Sequence, residues 1–405
     1  MLVHSYYDED ARVRREAEAL VRAGRPVDVF ALRRPREAAS AIIAGVAVHR
    51  LGVNRHQGAG IPTYLAEYVA FFALALAAAT RGHRRRRYAL VQVHTLPDFL
   101  AFAGFPLQLA GVPLLVDFHE AMPEFFAMRF PRASFAPVQA ALRLQERLAI
   151  AAADATITVN DALRDRLLGL GVPPDKVTVI LNTPDLALFD PALQPERPFM
   201  VDGALRLVYA GALTPTYELE VAIEAVDQLR ALRPDLAVTL DVYGRGDAEP
   251  ALRSRVTGLG LGDRVRFHGR IPLEAVPAAI AAADMGLAPT RRSEMTDHSL
   301  STKLFEYAAM GKPVVASALP TVARYFGPGT VAGYHPGDPT DMARAVLELV
   351  DDSPARASHV GLTARRVRDL GWDREAARYL ALVDRLAAGR DLPGGTPPAS
   401  PREEP

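Results

Sequence analysis

No cysteine occurs in the 405 residues, so disulfides, cysteine-ligated zinc and thiol nucleophiles are excluded from the outset. The patterns G-x-x-x-x-G-K-[ST], H-E-x-x-H and G-x-S-x-G are also missing, which removes P-loop nucleotide hydrolases, zincins and the usual serine hydrolases. Neither half carries a convincing G-x-G-x-x-G after its first strand, which argues against a nicotinamide dinucleotide. There is no excess of either charge: 47 Lys+Arg balance 47 Asp+Glu, and a neutral chain is a poor general nucleic-acid binder. Lysine is scarce, with only Lys176, Lys303 and Lys312, so nearly all the positive charge is arginine. Met1 leads straight into Leu2–Ser5 and the charged stretch Tyr6–Arg15, so no secretory signal is read and a cytoplasmic location is the expectation. The apolar run Tyr68–Thr80 is about 13 residues, short of the roughly 20 that a bilayer span needs. Followed by the arginine-rich Arg81–Arg87, it reads first as a buried core helix with a basic end suited to its dipole. The sharper alternative is a peripheral contact of Tyr68–Arg87 with anionic lipid at the inner face of a membrane.

What the chain does have is alternation. In the first half, strands are expected at Leu2–Ser5, Val27–Ala31, Val46–Leu51, Leu90–His94, Pro113–Phe118, Ala155–Val159 and Val177–Leu181. Helices fit at Asp10–Ala23, Tyr64–Thr80, Phe99–Leu109, Ser134–Ala152 and Ala162–Leu170. A proline-rich break follows, and the pattern restarts with strands at Leu205–Tyr209, Ala237–Tyr243, Val265–His268, Met285–Ala288, Val314–Ser317 and Val331–Tyr334. Helices there fit Leu219–Leu232, Ala248–Leu259, Leu273–Ala283, Ser301–Met310, Pro339–Asp352 and Ser353–Leu370, the last with Ser353 as N-cap. Nearly all-apolar strands between helices mean parallel sheets covered on both faces. The fold class is therefore α/β, with two doubly wound, Rossmann-like domains facing across a cleft and ligands at the carboxyl ends of the strands. The expected divisions are residues 1–188, a linker at 189–202, a second domain at 203–371, a terminal helix at 372–388 and a disordered tail at 389–405.

One stretch, Glu294–Ser317, draws attention because Lys303 sits in the first turn of its helix, where the dipole disfavours a cation. An anion docked on that helix N-terminus would reconcile the two, with Ser301, Thr302, Lys303 and Leu304 around it. Glu306, one turn deeper, is badly placed for phosphate and well placed to accept sugar hydroxyls. An ordinary surface pair between Lys303 and Glu306 is the plain alternative.

Other polar residues end apolar runs. Gly211 and Thr214 follow the first strand of the second half; glycine allows a close backbone approach, and threonine can bond a phosphate or cap the helix starting near Glu218. Gly244-Arg245-Gly246 can present guanidinium and N–H groups to an anion, or be a plain turn. In the first half His119 ends Val116-Asp117-Phe118-His119-Glu120, either as a satisfied loop histidine or as a partner for a sugar hydroxyl or a proton. His94-Thr95-Leu96-Pro97-Asp98 ends another strand, with Asp98 either capping the next helix or facing the cleft, and Arg12 could reach the cleft from its helix. Asp8-Glu9-Asp10 has the form of a D-x-D metal pattern, but acids opening a helix explain it more cheaply.

These segments together resemble a family-4 glycosyltransferase of the GT-B fold. The resemblance is carried by Y-Y-D-E-D-A-R-V-R-R-E-A-E-A-L, V-H-T-L-P-D-F-L, V-D-F-H-E-A-M-P-E, V-Y-A-G-A-L-T-P-T-Y-E-L-E, V-Y-G-R-G-D, F-H-G-R-I-P and S-T-K-L-F-E-Y-A-A-M-G-K-P-V-V-A-S, in that order. It implies a second domain that binds a nucleotide-diphosphate sugar and a first that binds the acceptor, with Glu306 at the ribose and His119 near the donor sugar. The donor set would be Gly211, Thr214, Gly244, Arg245, His298, Ser301, Thr302, Lys303, Leu304 and Glu306. Tyr7, Arg12, His94 and Asp98 are the acceptor-side candidates. The resemblance also implies a hexosyltransferase with retained anomeric configuration, no metal and no cofactor. The acceptor is left open among a sugar, a lipid-linked molecule and a small molecule.

Two departures mark this chain. The family's usual arginine and lysine after the first strand of the second domain fall on Ala212 and Tyr217, and its glutamate eight residues before Glu306 falls on His298. Diphosphate binding would then rest on Lys303, Arg245 and helix N–H groups, and the donor-sugar contact on Glu294, Asp297 or His298. A nucleotide-sugar epimerase, a glycosyl phosphorylase and a non-catalytic two-domain binding protein are the rival readings.

Overall fold

The computed structural model describes residues 1–56 and 60–388. The tail expected at 389–405 lies outside the described residues. By contact the chain divides into two units. The first comprises residues 1–158, 167–180 and those from Ala376 onward; the second comprises Val159–Arg166 and Leu181–Glu375.

The first unit holds an eight-stranded sheet: β1 (Leu2–Val3), β2 (Asp28–Leu32), β3 (Ser40–Ile43), β4 (Val46–Leu51), β5 (Val91–His94), β6 (Leu114–Phe118), β7 (Ala155–Thr158) and β8 (Val177–Val179). Its order is β3-β4-β2-β1-β5-β6-β7-β8, parallel throughout except for β3 against β4. The second unit holds β9 (Ala204–Ala210), β10 (Ala237–Tyr243), β11 (Val265–Gly269), β12 (Met285–Ala288), β13 (Val314–Ser317) and β14 (Ala332–Tyr334). These run parallel in the order β11-β10-β9-β12-β13-β14. Strands such as β2, β6, β12 and β13 are buried along their whole length, as apolar strands between two helical layers must be.

Several elements depart from the sequence reading. The edge strand β3 was not expected. It pairs with β4 through the two-residue turn Ala44–Gly45, both at positive φ, as a type I′ hairpin turn requires. Ala44 in that turn lacks the Asn or Asp that would have advertised it. The Phe99–Leu109 and Leu273–Ala283 helices each split into a 3-10 segment and a short α-helix, at Phe105 and Val276. In both, a proline (Pro106, Pro277) opens the new helix, where its missing N–H costs nothing. Helices at Met122–Arg129 and Pro320–Phe326 had no side-chain cap to reveal them. Asp352, not Ser353, caps the Ser353–Asp369 helix by accepting from the Ala355 N–H at 2.8 Å.

The apolar helix differs most. It runs over Ile61–Arg86, taking in most of the arginine run and ending at Arg87 in the left-handed conformation. Only 17% of its most apolar 18-residue stretch is buried, which overturns the buried-core reading. By length and composition alone it could cross a membrane.

The helix that carries the site is Thr302–Ala309, and two contacts of Tyr307 fix its place on the sheet. The Tyr307 hydroxyl accepts the Ala210 N–H at the end of β9 (3.0 Å), and its ring covers Gly286 of β12 so closely that a Cβ there would overlap it. Gly286→Ala should therefore lower stability by about 1–3 kcal/mol, because the ring has no free space to take. Urea unfolding of the variant against the parent checks this.

Candidate functional site

In the second unit, the loop after β9 lies against the loop after β10. The Gly211 N–H donates to the Tyr243 carbonyl at 2.9 Å and the Leu213 N–H to the Arg245 carbonyl at 3.0 Å. Gly244, at φ +150°, donates to the Gly269 carbonyl at 2.8 Å, and a Cβ on it would overlap the Gly211 carbonyl. Glycine at this position lets backbone pack directly on backbone. Gly211 makes room for a side chain instead, since a Cβ on it would overlap the end of Lys303. The Arg245 side chain lies close to Gly269, and Thr214 closes a turn by accepting the Tyr217 N–H at 3.1 Å.

Lys303 is 4% exposed. Its ammonium sits 3.6 Å from the centre of the Tyr217 ring and 5.2 Å from that of Tyr209. The chain's other two lysines reach backbone carbonyls, Lys312 that of Ala281 at 2.9 Å and Lys176 that of Ala151 at 3.2 Å. Among the described residues, Lys303 forms no ion pair and no side-chain hydrogen bond. Its contacts are the two rings. Ser301, the N-cap residue, makes no side-chain capping bond; its carbonyl takes the Leu304 N–H at 3.3 Å, and its hydroxyl leaves the N–H groups ahead of Leu304 uncapped. Leu304 is buried beneath them, and Glu306 is half-buried one turn along.

The segment ahead of this helix is tied down by Thr296, whose hydroxyl donates to the Arg291 carbonyl at 2.6 Å and accepts the Ser293 N–H at 2.8 Å. Asp297 accepts from Arg292 at 3.2 Å, the His298 carbonyl accepts the Asn160 amide at 2.8 Å, and Glu294 is exposed. Beneath it lies a network that the sequence reading missed. Ser317 accepts the Thr290 N–H (2.7 Å) and bonds the Tyr334 hydroxyl (2.8 Å), which donates to Glu218 (2.8 Å); Glu218 also takes the Gly337 N–H (3.0 Å). Burial pushes the Glu218 carboxyl up against these bonds. The network holds the ends of β12, β13 and β14 together.

In the first unit, Arg12 donates to both oxygens of Asp117, from Nε at 2.7 Å and Nη2 at 2.6 Å, and reaches Glu16 at 3.4 Å. His94 Nδ1 lies 2.8 Å from Asp117, Gln92 donates to Glu16 at 2.6 Å, and the Tyr379 hydroxyl donates to Gln92 at 2.5 Å. Burial would raise the Asp117 carboxyl, but Arg12 and His94 outweigh it and hold it well below the carboxylate range. Burial wins at Glu16, whose carboxyl is raised. Glu16, His94 and Asp117 could converge on a cation, yet the Arg12 guanidinium already lies among them and meets their charge. His119 Nδ1 stands 3.9 Å from Asp117; burial lowers its pKa against the pull of that carboxylate, which favours the neutral imidazole. Burial raises Glu120 to about 7.

Of the acceptor-side candidates, Tyr7, Arg12, His94 and Asp98 are all buried, and Arg12 is engaged by Asp117. They form the layer under the strand ends, and His119, with its side chain 27% exposed, is the group that emerges from it. Asp8 and Glu9 pair with Arg34, and Asp10 caps its helix at the Val13 N–H, so the D-x-D pattern is structural.

Two family patterns match the chain: "Glycosyl transferases group 1" over residues 204–352 and "Glycosyl transferase 4-like domain" over residues 10–183. A D-inositol 3-phosphate glycosyltransferase of Thermomonospora curvata is 29% identical over 91% of this chain and 87% of its own length. Among solved structures, sucrose-phosphate synthase from Thermosynechococcus elongatus superposes with a TM-score of 0.77 at 19% identity, over 96% of this chain and 99% of that one. Anabaena Alr3699/HepE, solved with UDP and glucose, gives 0.72 at 16% identity over 95% and 98%. Two parallel-sheet domains of the GT-B fold, each matching its own half of the pattern, define a glycosyltransferase that draws on a nucleotide-sugar donor. The chain belongs to the group 1, family-4-like glycosyltransferases, whose members retain anomeric configuration.

Asp117→Asn would leave the buried Arg12 with the more distant Glu16 as its charged partner. Stability should fall by about 3 kcal/mol, read by thermal or denaturant unfolding near neutral pH. The gap between variant and parent should close only in strong acid, because a depressed carboxyl keeps its contribution until the pH falls through its folded-state value.

Proposed function

We propose that the chain transfers a hexosyl unit from a nucleoside-diphosphate sugar to an acceptor hydroxyl without a metal ion. The observation that carries this is Lys303: a buried ammonium with no carboxylate partner, beside the uncapped N-terminus of its helix, is costly unless an anion completes it. In this reading Lys303, Arg245 and the first-turn amides take the diphosphate, and Glu306 accepts the ribose hydroxyls. The sugar C1–O bond to the β-phosphate breaks as the bond from C1 to the acceptor oxygen forms on the same face. The acceptor proton passes to the departing phosphate oxygen, whose growing charge Lys303 is suited to stabilise. His119 is assigned to the donor sugar, with Glu294, Asp297 and His298 supplying the remaining donor-sugar contacts.

The test is a thermal-shift panel of UDP, GDP, ADP, dTDP and CMP on the parent, Glu306→Ala and Lys303→Ala. One nucleotide should raise the parent Tm by a few degrees and shift Glu306→Ala less. Lys303→Ala should lower kcat by about 10²-fold or more with the matching sugar nucleotide, and EDTA should leave parent turnover unchanged. No shift with any nucleotide, or full activity in Lys303→Ala, overturns the reading. Acceptors to be tried include free sugars, lipid-linked sugars and, prompted by the Thermomonospora curvata relative, an inositol phosphate.

The exposed side of the Ile61–Arg86 helix supports a peripheral location at the cytoplasmic face of a membrane. Leu65, Val69 and Leu74 are exposed along it, Phe105 and Leu109 are exposed on the adjacent short helix, and the basic last turn suits anionic headgroups. Sedimentation with vesicles should show binding to anionic lipid that weakens in salt and is lost in a Leu65→Ser, Val69→Ser, Leu74→Ser variant. Equal partition of parent and variant rejects it.

A further inference from the structure

We propose that Tyr217 is the positioning residue of the donor site, holding the Lys303 ammonium in place without neutralising it. This rests on the donor site argued above. A buried lysine is usually fixed by a carboxylate, but a carboxylate at this spot would cancel the charge and repel the incoming diphosphate. An aromatic face attracts an ammonium through its quadrupole and leaves the net charge intact.

The geometry is that of such a platform. The ammonium is 3.6 Å from the Tyr217 ring centre. The end of the lysine side chain runs along Gly211, where a Cβ would block it, and the Tyr209 ring forms the other wall, its hydroxyl anchored on the Ala212 carbonyl at 2.6 Å. Tyr217 is itself held by the turn in which its N–H donates to the Thr214 carbonyl. The ammonium thus meets two rings and the backbone at Gly211, and in the donor-site reading an oxyanion completes its coordination. Because charge on the diphosphate grows as the C1–O bond breaks, a displaced ammonium should lower kcat more than it raises KM.

Four variants test this. Tyr217→Phe keeps the ring and should retain kcat within about twofold. Tyr217→Met fills the space without a ring and should lose about tenfold in kcat, with KM changed much less. Tyr217→Glu should hold the lysine at least as firmly, keeping Tm at or above the parent value, yet fall to the kcat of Lys303→Ala. Tyr217→Met combined with Lys303→Ala should be no worse than Lys303→Ala alone. Should Tyr217→Met not fold, Tyr217→Gln repeats the comparison. Parent-like kcat in Tyr217→Met or Tyr217→Glu, or a double variant that loses both factors in full, overturns the inference. Nucleotide titration of the parent separates the two levels. If the parent binds no nucleoside diphosphate, the donor site itself fails; if it binds and the Tyr217 variants keep parent kcat, only the role of Tyr217 fails.

Discussion

The second unit is arranged around an ammonium buried beside two aromatic rings, with no carboxylate among the described residues to meet it. That placement is unfavourable on its own and fixes what its surroundings can be. Gly211 must lack a side chain, the loop after β10 must bring Gly244 onto the Gly211 carbonyl, and Tyr307 must hold the helix at the end of β9. The Glu218–Tyr334–Ser317 network then fixes the neighbouring strand ends, so the site's floor does not yield. Much of the polar chemistry under this floor is spent on rigidity, while the helix N-terminus beside Lys303 has no side-chain cap.

The first unit solves the opposite problem. There the buried charges meet partners within the fold, with Arg12 bidentate on Asp117 and near Glu16, and Gln92 and Tyr379 extending the chain of bonds. A matched cluster has little attraction left for a substrate. Its role is to set the ends of β5 and β6, from which His119 emerges. The two units thus contrast a buried ammonium that meets aromatic rings with a guanidinium that meets carboxylates.

The fold was legible in the sequence because buried parallel strands are apolar along their whole length. Met285–Ala288 and Val314–Ser317, buried end to end, could be bounded from composition alone. The strand β3 was not, because its turn uses Ala44 where an asparagine or aspartate would have signalled a positive φ. Lys303 was legible from its conflict with the helix dipole. Its partner Tyr217 was not. A single tyrosine in the loop ahead of the Leu219–Leu232 helix carries no local signal, and ring and ammonium meet only once β9 and the Thr302–Ala309 helix are packed together. The burial of Arg12 and His94 was hidden for a related reason. Polar residues at strand ends look alike in sequence whether they face solvent or one another, and only burial separates them.

The Ile61–Arg86 helix has a consequence for the protein in water. Leu65, Val69 and Leu74 expose apolar surface whose contact with solvent is unfavourable, and the formal net charge is zero, with an isoelectric point near 7.2. Copies of the chain therefore have an attractive patch and no net repulsion to keep them apart at neutral pH. Self-association at neutral pH is the expected consequence, and moving the pH away from 7.2 or covering the helix with detergent should relieve it.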